Sequence, residues 1–244
     1  MRKELVPVQT LQQILDDSRR IVFFGGAGVS TESGIPDFRS TDGLYRQQYA
    51  YPPEEILSHD FFCTHTEEFF RFYRNKMLFP NARPNAAHKK LAELEAAGRV
   101  TAVITQNIDG LHQAAGSRRV LELHGSVHRN RCTRCGKAFP LSAILESEGI
   151  PRCSCGGVIK PEVVLYGESL DSDVLEASVQ SISEADCLLI AGTSLSVYPA
   201  AGLIECFRGR HLVIINRSPT RRDAEAELCL SSPVGETLDA LLIR

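Results

Sequence analysis

The chain has 244 residues, which suits one large domain or one domain with a smaller lobe. Hydrophobic residues make up 43% and charged residues 23%, an ordinary balance for a folded globular protein and one that argues against disorder. The net charge of −3, with scattered lysine and arginine, gives no basic footprint for nucleic acid or an anionic membrane. Without a long apolar run or a secretory signal pattern, we expect a cytoplasmic monomer that binds neither nucleic acid nor membrane.

Helical and strand patterns alternate along the chain. Helices are predicted at residues 5–18, 85–97, 173–183 and 200–207. Strands are predicted at residues 21–24, 100–104, 120–123, 187–191 and 212–215. These strands are continuous apolar runs of four to six residues, as in parallel strands covered on both faces. The alternation predicts an α/β fold with a Rossmann-like parallel sheet.

Two segments break this alternation and are predicted to form a smaller lobe. Residues 40–83 are rich in aromatic side chains and read as a helical insertion. Residues 127–159 hold four clustered cysteines, a short helix around 141–146 and too few apolar residues for a core of their own. The Rossmann-like domain is then expected to comprise residues 1–39, 84–126 and 160–244.

A glycine-rich turn follows the first predicted strand, with the sequence F-G-G-A-G-V-S at residues 24–30. Glycines at a strand-to-helix turn let backbone N–H groups approach a pyrophosphate. The turn lacks the full G-x-G-x-x-G pattern, so a role in tight packing alone stays open. The following Gly-Ile-Pro breaks the helix and presents Asp37, Phe38 and Arg39, of which the last two could cover a nicotinamide ring and pair a phosphate.

Polar side chains end the next predicted strand, at Gln106, Asn107 and Asp109. The carboxyl ends of strands in an open α/β sheet face the ligand crevice, so these groups are expected to meet a ribose or a carboxamide. A plain helix cap remains the alternative for Asp109.

His124 ends another short strand and is followed by Gly125. A lone histidine is more often structural, but its place beside the polar cluster favours a general base. His112 could hold its loop or join a helix, and His88 reads as a scaffold residue.

The clustered cysteines are spaced as Cys132-x-x-Cys135, then 17 residues, then Cys153-x-Cys155. Two tight pairs can close a tetrahedral thiolate site, which leaves no open position for a catalytic water. We therefore predict one structural zinc ion. The other cysteines are expected to be reduced thiols: Cys63, Cys187, Cys206 and Cys229.

Taken in order, these motifs resemble the sirtuins, NAD-dependent protein-lysine deacylases, and in particular the catalytic core of the bacterial type. The motifs are residues 26–30, 34–39, 105–112, 124–125, 161–168, 192–195 and 216–218, with the cysteine pairs. The resemblance implies that NAD is a co-substrate, that His124 is the general base and that Asn107 also belongs to the catalytic residues. It implies NAD contacts from Ala27, Gly28, Thr31, Phe38, Arg39, Gln106, Asn107, Ile108, Asp109, Thr193, Ser194 and Asn216.

The resemblance also implies a reaction. The acyl oxygen of an acylated lysine attacks the ribose carbon that carries nicotinamide, and His124 then takes a proton from a ribose hydroxyl that attacks the acyl carbon. The products are lysine, nicotinamide and O-acyl-ADP-ribose. The peptide of an acetylated-lysine protein is expected to lie along the edge formed by Val163, Val164, Tyr166 and Gly167.

One departure bears on the acyl group. Sirtuins that prefer acidic acyl groups carry Tyr-x-x-Arg where this chain has Phe70 and Tyr73, so acetyl is expected, unless Arg71 or Arg74 supplies the missing charge. The alternatives are mono-ADP-ribosyl transfer, a long-chain or other deacylase, and a zinc-ribbon binding module without activity. An NAD(H) dehydrogenase is disfavoured because the usual fingerprint is missing.

Overall fold

The protein is described by a computed structural model over residues 2–38 and 50–243. Its strands are β1 Ile21–Gly25, β2 Val100–Thr105, β3 Val120–Glu122, β4 Gly125–Cys132, β5 Ala138–Phe139, β6 Ile159–Val163, β7 Cys187–Ala191, β8 His211–Ile215 and β9 Leu228–Leu230. Its helices are α1 Arg2–Asp17, α2 Pro53–Ile56, α3 His59–Thr64, α4 Thr66–Lys76, α5 Ala86–Ala96, α6 Leu111–Ala115, α7 Ser142–Leu145, α8 Ser172–Glu184 and α9 Val234–Asp239.

Six strands form one sheet in the order β3-β2-β1-β7-β8-β9, and every pair in it is parallel. Apolar side chains pack on both faces, one cluster including Leu11, Leu91 and Leu238 and the other including Ile182 and Ile204. Burial on both faces explains why β1 and β7 are continuous apolar runs. The predicted α/β class with a Rossmann-like parallel sheet is confirmed.

The order of the strands reverses between β1 and β7. β2 and β3 extend the sheet on one side of β1, whereas β7, β8 and β9 extend it on the other. In open α/β sheets, a crevice forms at the carboxyl ends of the strands at such a switch point. The turns that leave β1 and β7 therefore define where a ligand can bind.

Two of the differences between the sequence predictions and the structure concern β9 and residues 200–206. β9 was not predicted, because three residues are too short a run to stand out. Residues Ala200–Cys206 form a 3₁₀ helix rather than an α-helix, and Gly202 at its centre lowers the α-helical propensity.

A second, antiparallel sheet has the order β5-β4-β6 and carries the four clustered cysteines at its end. It shares a separate core cluster with the aromatic side chains of α3 and α4, among them Phe62 and Phe69. The described part of the 40–83 segment contains the helices α2, α3 and α4. Within residues 2–38 and 50–243, no helix is both long and apolar enough to cross a membrane.

Candidate active site

A cleft of about 1020 Å³ opens at the carboxyl ends of β1, β2 and β7 and extends to β6. The sequence-predicted site residues that line it are Ala27, Gly28, Thr31, Phe38, Gln106, Asn107, Ile108, Asp109, His124, Val163, Val164, Tyr166, Gly167, Thr193, Ser194 and Asn216. Arg39 lies outside the described residues. This volume is at the upper end of the range that is usual for pockets that bind small molecules and cofactors.

The glycine-rich turn packs directly on the turn that follows β7. The N–H of Gly28 donates to the carbonyl of Gly192 over 2.8 Å, and a Cβ on Gly28 would lie 2.7 Å from the Cα of Gly192. Gly192 has a φ of +59° and is equally crowded by Val29. The packing role left open by the sequence is therefore present, and it holds the backbone of both turns at the floor of the cleft.

The turn does not lead into an α-helix. Two 3₁₀ turns follow β1, at Ala27–Val29 and Thr31–Ser33, and Gly34 ends the second with a φ of +80°. The expected strand-to-helix turn is thus wrong in this detail. Over residues 26–38 these 3₁₀ turns offer a bound anion backbone N–H groups and side chains rather than the dipole of an α-helix.

Ser30 joins two of the predicted polar residues at the end of β2. Asn107 donates from Nδ2 to Ser30 Oγ over 3.0 Å, and that hydroxyl donates to Asp109 Oδ2 over 2.7 Å. The other carboxylate oxygen of Asp109 accepts from the N–H of Leu111, the first residue of α6, as the capping alternative predicted. Ser30 was not predicted as a site residue, although it ends the glycine-rich motif.

Side-chain hydrogen bonds also fix the groups at the ends of β2 and β7. Gln106 donates from Nε2 to Thr193 Oγ1 over 3.0 Å, which ties the polar cluster to the β7 turn. Asn216 follows β8 and donates to the carbonyl of Ser218 over 2.7 Å. Groups that follow β2, β7 and β8 are therefore held in place by hydrogen bonds within the chain.

His124 is half-buried and its ring is oriented by the backbone. Its Nδ1 lies 3.0 Å from the carbonyl oxygen of Gln106. Because a carbonyl only accepts, Nδ1 carries the proton and Nε2 is left as the basic nitrogen. Burial lowers the pKa of His124 and the hydrogen bond to Gln106 opposes this, so the imidazole is neutral at pH 7.

The backbone beside His124 joins it to the predicted peptide edge. The N–H of Val164 donates to the carbonyl of His124 over 2.9 Å, and Gly125 pairs with Val163 across the second sheet. Gly125 has a φ of +75°, and a Cβ there would overlap the carbonyl oxygen of Glu162. The glycine after His124 is required by this close crossing of β4 and β6.

The residues expected to select the acyl group lie on α4. Phe70 and Tyr73 are fully buried, and Tyr73 lines the cleft. Burial raises the pKa of Tyr73, so its hydroxyl remains neutral, and it has no hydrogen-bond partner among the described residues. Arg71 is exposed and pairs with Glu68 over 2.7 Å.

Arg74 is turned towards the segment after α7 rather than the cleft. Its guanidinium donates to the carbonyls of Ile144 and Gly149 and to the hydroxyl of Ser147, over 2.6–2.9 Å. With Arg71 held by Glu68, neither arginine is placed to receive an acidic acyl group.

The four clustered cysteines form a compact thiol group. Their sulfur atoms lie within 4.8 Å of one another, with 3.4 Å between Cys132 and Cys155 and 3.7 Å between Cys135 and Cys153. Zinc–sulfur bonds of about 2.3 Å in a tetrahedron place sulfur atoms roughly 3.8 Å apart, so the cluster fits one zinc ion.

Two histidines are buried in contact below the polar cluster. The rings of His88 and His112 are 4.7 Å apart, and both residues are at most 1% exposed. Burial, with a smaller effect of His88, lowers the pKa of His112 to about 3. Burial also lowers that of His88 to about 4, against opposing effects of Asp109 and Glu32. Both rings are therefore neutral in the folded protein at pH 7.

Comparisons with known proteins agree on one family. Residues 26–199 match the Sir2 family. The chain is 56% identical over 239 residues to an NAD-dependent protein deacetylase of Clostridium acetobutylicum, covering 96% of this chain and 98% of that protein. It is 57% identical over 235 residues to one of Cutibacterium acnes, covering 96% of both.

A solved structure of a Sir2 variant with a deacetylated p53 peptide and 3′-O-acetyl ADP ribose has a similar fold. Its TM-score is 0.88 at 41% identity, over 95% of each chain. Sequence and fold thus agree over nearly the whole length, and the chain belongs to the Sir2 family, the sirtuins.

Proposed function

We propose that this chain is an NAD-dependent protein-lysine deacetylase in which His124 is the general base. The observation that carries the proposal is the fixed tautomer of His124, whose basic Nε2 belongs to the same cleft as the glycine-rich turn and the predicted peptide edge. Its relatives are named for this activity, and the Sir2 variant was solved with a deacetylated peptide.

NAD fits the switch-point half of the cleft by the chemistry of its lining. Ala27, Gly28 and Thr31 line the part of the cleft that we assign to the diphosphate. The N–H of Gly28 and the hydroxyl of Thr31 donate within the chain, to the carbonyls of Gly192 and Gly28, and so fix the shape of this wall. Thr193, Ser194 and Asn216 offer hydroxyl and amide groups to phosphate and ribose, and we assign Arg39 to the diphosphate from the sequence motif. When bound, NAD supplies an electrophilic ribose carbon and nicotinamide as its leaving group.

The polar cluster is assigned to the nicotinamide half. Gln106 and Asn107 would bind the ribose hydroxyls, and Ile108 and Asp109 the carboxamide. Asn107 is 8% exposed and held by Ser30, so its amide is already oriented when the ribose arrives. Phe38 lies over the cleft, where its ring would exclude water from the reacting carbon.

His124 would act once the acyl-lysine is in place. Its Nε2 takes a proton from a ribose hydroxyl, which makes that oxygen a nucleophile for the acyl carbon. The peptide pairs with the edge formed by Val163, Val164, Tyr166 and Gly167 by strand addition. Because Val164 donates to the carbonyl of His124, the peptide edge and the base are positioned by one hydrogen bond.

The acyl group is proposed to be neutral, with acetyl preferred. A succinyl carboxylate would meet the neutral hydroxyl of Tyr73, and burying an unpaired charge is costly. Turnover of acetyl and succinyl versions of one peptide tests this, and a succinyl preference would refute it.

The zinc ion is proposed to be structural, because four thiolates fill a tetrahedron. We also propose the lobe division at residues 40–83 and 127–159, which the separate core cluster supports. We place the protein in the cytoplasm, where free thiols persist, as a monomer without nucleic-acid or membrane partners.

The proposed activity is tested by measuring the amounts of all the reaction products. The native chain is incubated with an acetylated peptide and labelled NAD, and products are separated by mass spectrometry. We expect deacetylated peptide, nicotinamide and O-acetyl-ADP-ribose in equal amounts. Label on protein without O-acetyl-ADP-ribose would favour mono-ADP-ribosyl transfer instead.

A further inference from the structure

A histidine at the rim of the cleft lies between a thiol and a carboxylate. Nε2 of His59 is 3.5 Å from Sγ of Cys63, one turn further along α3. Nδ1 of His59 is 2.9 Å from Oε1 of Glu168. Because a carboxylate only accepts, Nδ1 carries the proton and Nε2 faces the thiol as an acceptor. This is the arrangement of a nucleophile, its base and the group that orients the base.

Glu168 is itself held in position. Its Oε2 accepts from the N–H of Leu165 over 2.9 Å and from Nζ of Lys160 over 3.0 Å. Although burial acts in the opposite direction, these bonds and the one from His59 lower the pKa of Glu168. The carboxylate is therefore charged and fixed, and it orients the His59 ring through Nδ1.

Two of the other thiols outside the cysteine cluster, Cys187 and Cys229, offer a contrast. Cys187 is fully buried in β7, and burial raises its pKa to about 12. Cys229 is exposed like Cys63, but its sulfur lies 3.5 Å from the carbonyl of Asp223. Burial and the charge of Asp223 raise the pKa of Cys229. Cys229 is thus an internal control, because it is exposed and, among the described residues, its sulfur contacts a backbone carbonyl rather than a histidine.

We propose that Cys63 is a modification site that exchanges with small disulfides, with His59 as its base and Glu168 orienting that base. The thiol proton moves to Nε2 of His59, and the sulfur attacks one sulfur of the disulfide. The disulfide bond breaks as the Cys63 mixed disulfide forms, and the departing thiolate takes the proton back from His59. One thiol is oxidised to the mixed disulfide, and half of the small disulfide is reduced to a thiol.

The site adjoins the edge to which the peptide is assigned. The backbone N–H of His59 donates to the carbonyl of Tyr166, and Glu168 binds the N–H of Leu165. A bulky group on Cys63 would displace the His59 ring from Glu168 and loosen this edge. We infer that the modification weakens peptide binding; this second step rests on the proposed function, whereas the reactivity of Cys63 does not.

The reactivity is tested on the zinc-loaded full chain with glutathione disulfide at pH 7, followed by peptide mapping. Cys63 should react at least about tenfold faster than Cys229, and His59→Gln should abolish the excess while Cys229 is unchanged. Glu168→Gln should lower the Cys63 rate in part. Equal rates at the two thiols, or an unchanged rate in His59→Gln, would overturn the proposal.

The consequence is tested by steady-state kinetics on an acetylated peptide. Cys63→Ser should keep the native KM and kcat and be insensitive to glutathione disulfide. The native chain should show a KM for peptide raised several-fold on modification and restored on reduction, with kcat little changed. A modified chain with the native KM would refute the coupling. Lack of deacetylation before any treatment would instead refute the proposed function and leave the thiol result standing.

Discussion

The buried pair of His88 and His112 predicts a specific loss of stability in acid. An unfolded histidine titrates near pH 6.5, whereas His112 in the fold stays neutral down to about pH 3. Between these values the unfolded chain binds a proton at this position that the folded chain does not. The free energy of unfolding therefore falls as the pH is lowered from 6.5 towards 3, and it is unaffected by this group above 6.5.

The size of the effect follows from the two pKa values. On lowering the pH from about 7.5 to about 5, proton uptake by the unfolded chain at His112 removes on the order of 2 kcal/mol from the free energy of unfolding. His112→Leu removes the titrating group at similar volume and also the two ring nitrogens that lack partners among the described residues. The variant should be at least as stable as the native chain at pH 7.5. On acidification its free energy of unfolding should fall by about 2 kcal/mol less than that of the native chain.

Urea unfolding of zinc-loaded protein at the two pH values measures this difference. The zinc cluster is common to both proteins, so acid release of zinc affects both alike. Equal losses in the native chain and His112→Leu would show that His112 is not the buried neutral group described.

Three further predictions concern the site. Cys153→Ser, or removal of zinc by a chelator, should unfold the second sheet and abolish deacetylation. Circular dichroism measures the first effect and an activity assay the second, and an active metal-free chain would contradict the structural role of zinc. Gly28→Ala should raise the KM for NAD at least about tenfold, because its Cβ meets the Cα of Gly192; an unchanged KM would show that the turn can yield. Because burial lowers the pKa of His124, kcat/KM for deacetylation should begin to fall only below pH 6.5, and full activity should persist at pH 7. A fall that begins above pH 7 would count against His124 as the base.

The sheet could be predicted from sequence because its strands are buried on both faces. Five of its six strands are apolar runs that stand out, and the reversal at β1 and β7 brings their polar ends together. The cysteine cluster was predictable from spacing alone, since two tight pairs suffice to define a tetrahedral site. Local sequence patterns were thus sufficient to predict the fold class and the positions of the main motifs.

Contacts between residues far apart in the chain could not be predicted from the sequence. Ser30 lies 77 residues from Asn107, and no local pattern pairs a hydroxyl with an amide at that separation. Arg74 was a candidate for acyl recognition until the structure placed it against carbonyls 70 and more residues away. The crowding of Gly28 by Gly192 likewise depends on the packing of two turns that follow neighbouring strands.

The central claim is that His124 acts as a base after nicotinamide has left. It is tested most directly by measuring two reactions of one variant, His124→Ala: exchange of labelled nicotinamide into NAD in the presence of acetylated peptide, and formation of O-acetyl-ADP-ribose. The account predicts that O-acetyl-ADP-ribose formation falls by about 10²–10⁴-fold while exchange is retained. Deacetylation at the native rate, or an equal loss of both reactions, would contradict it.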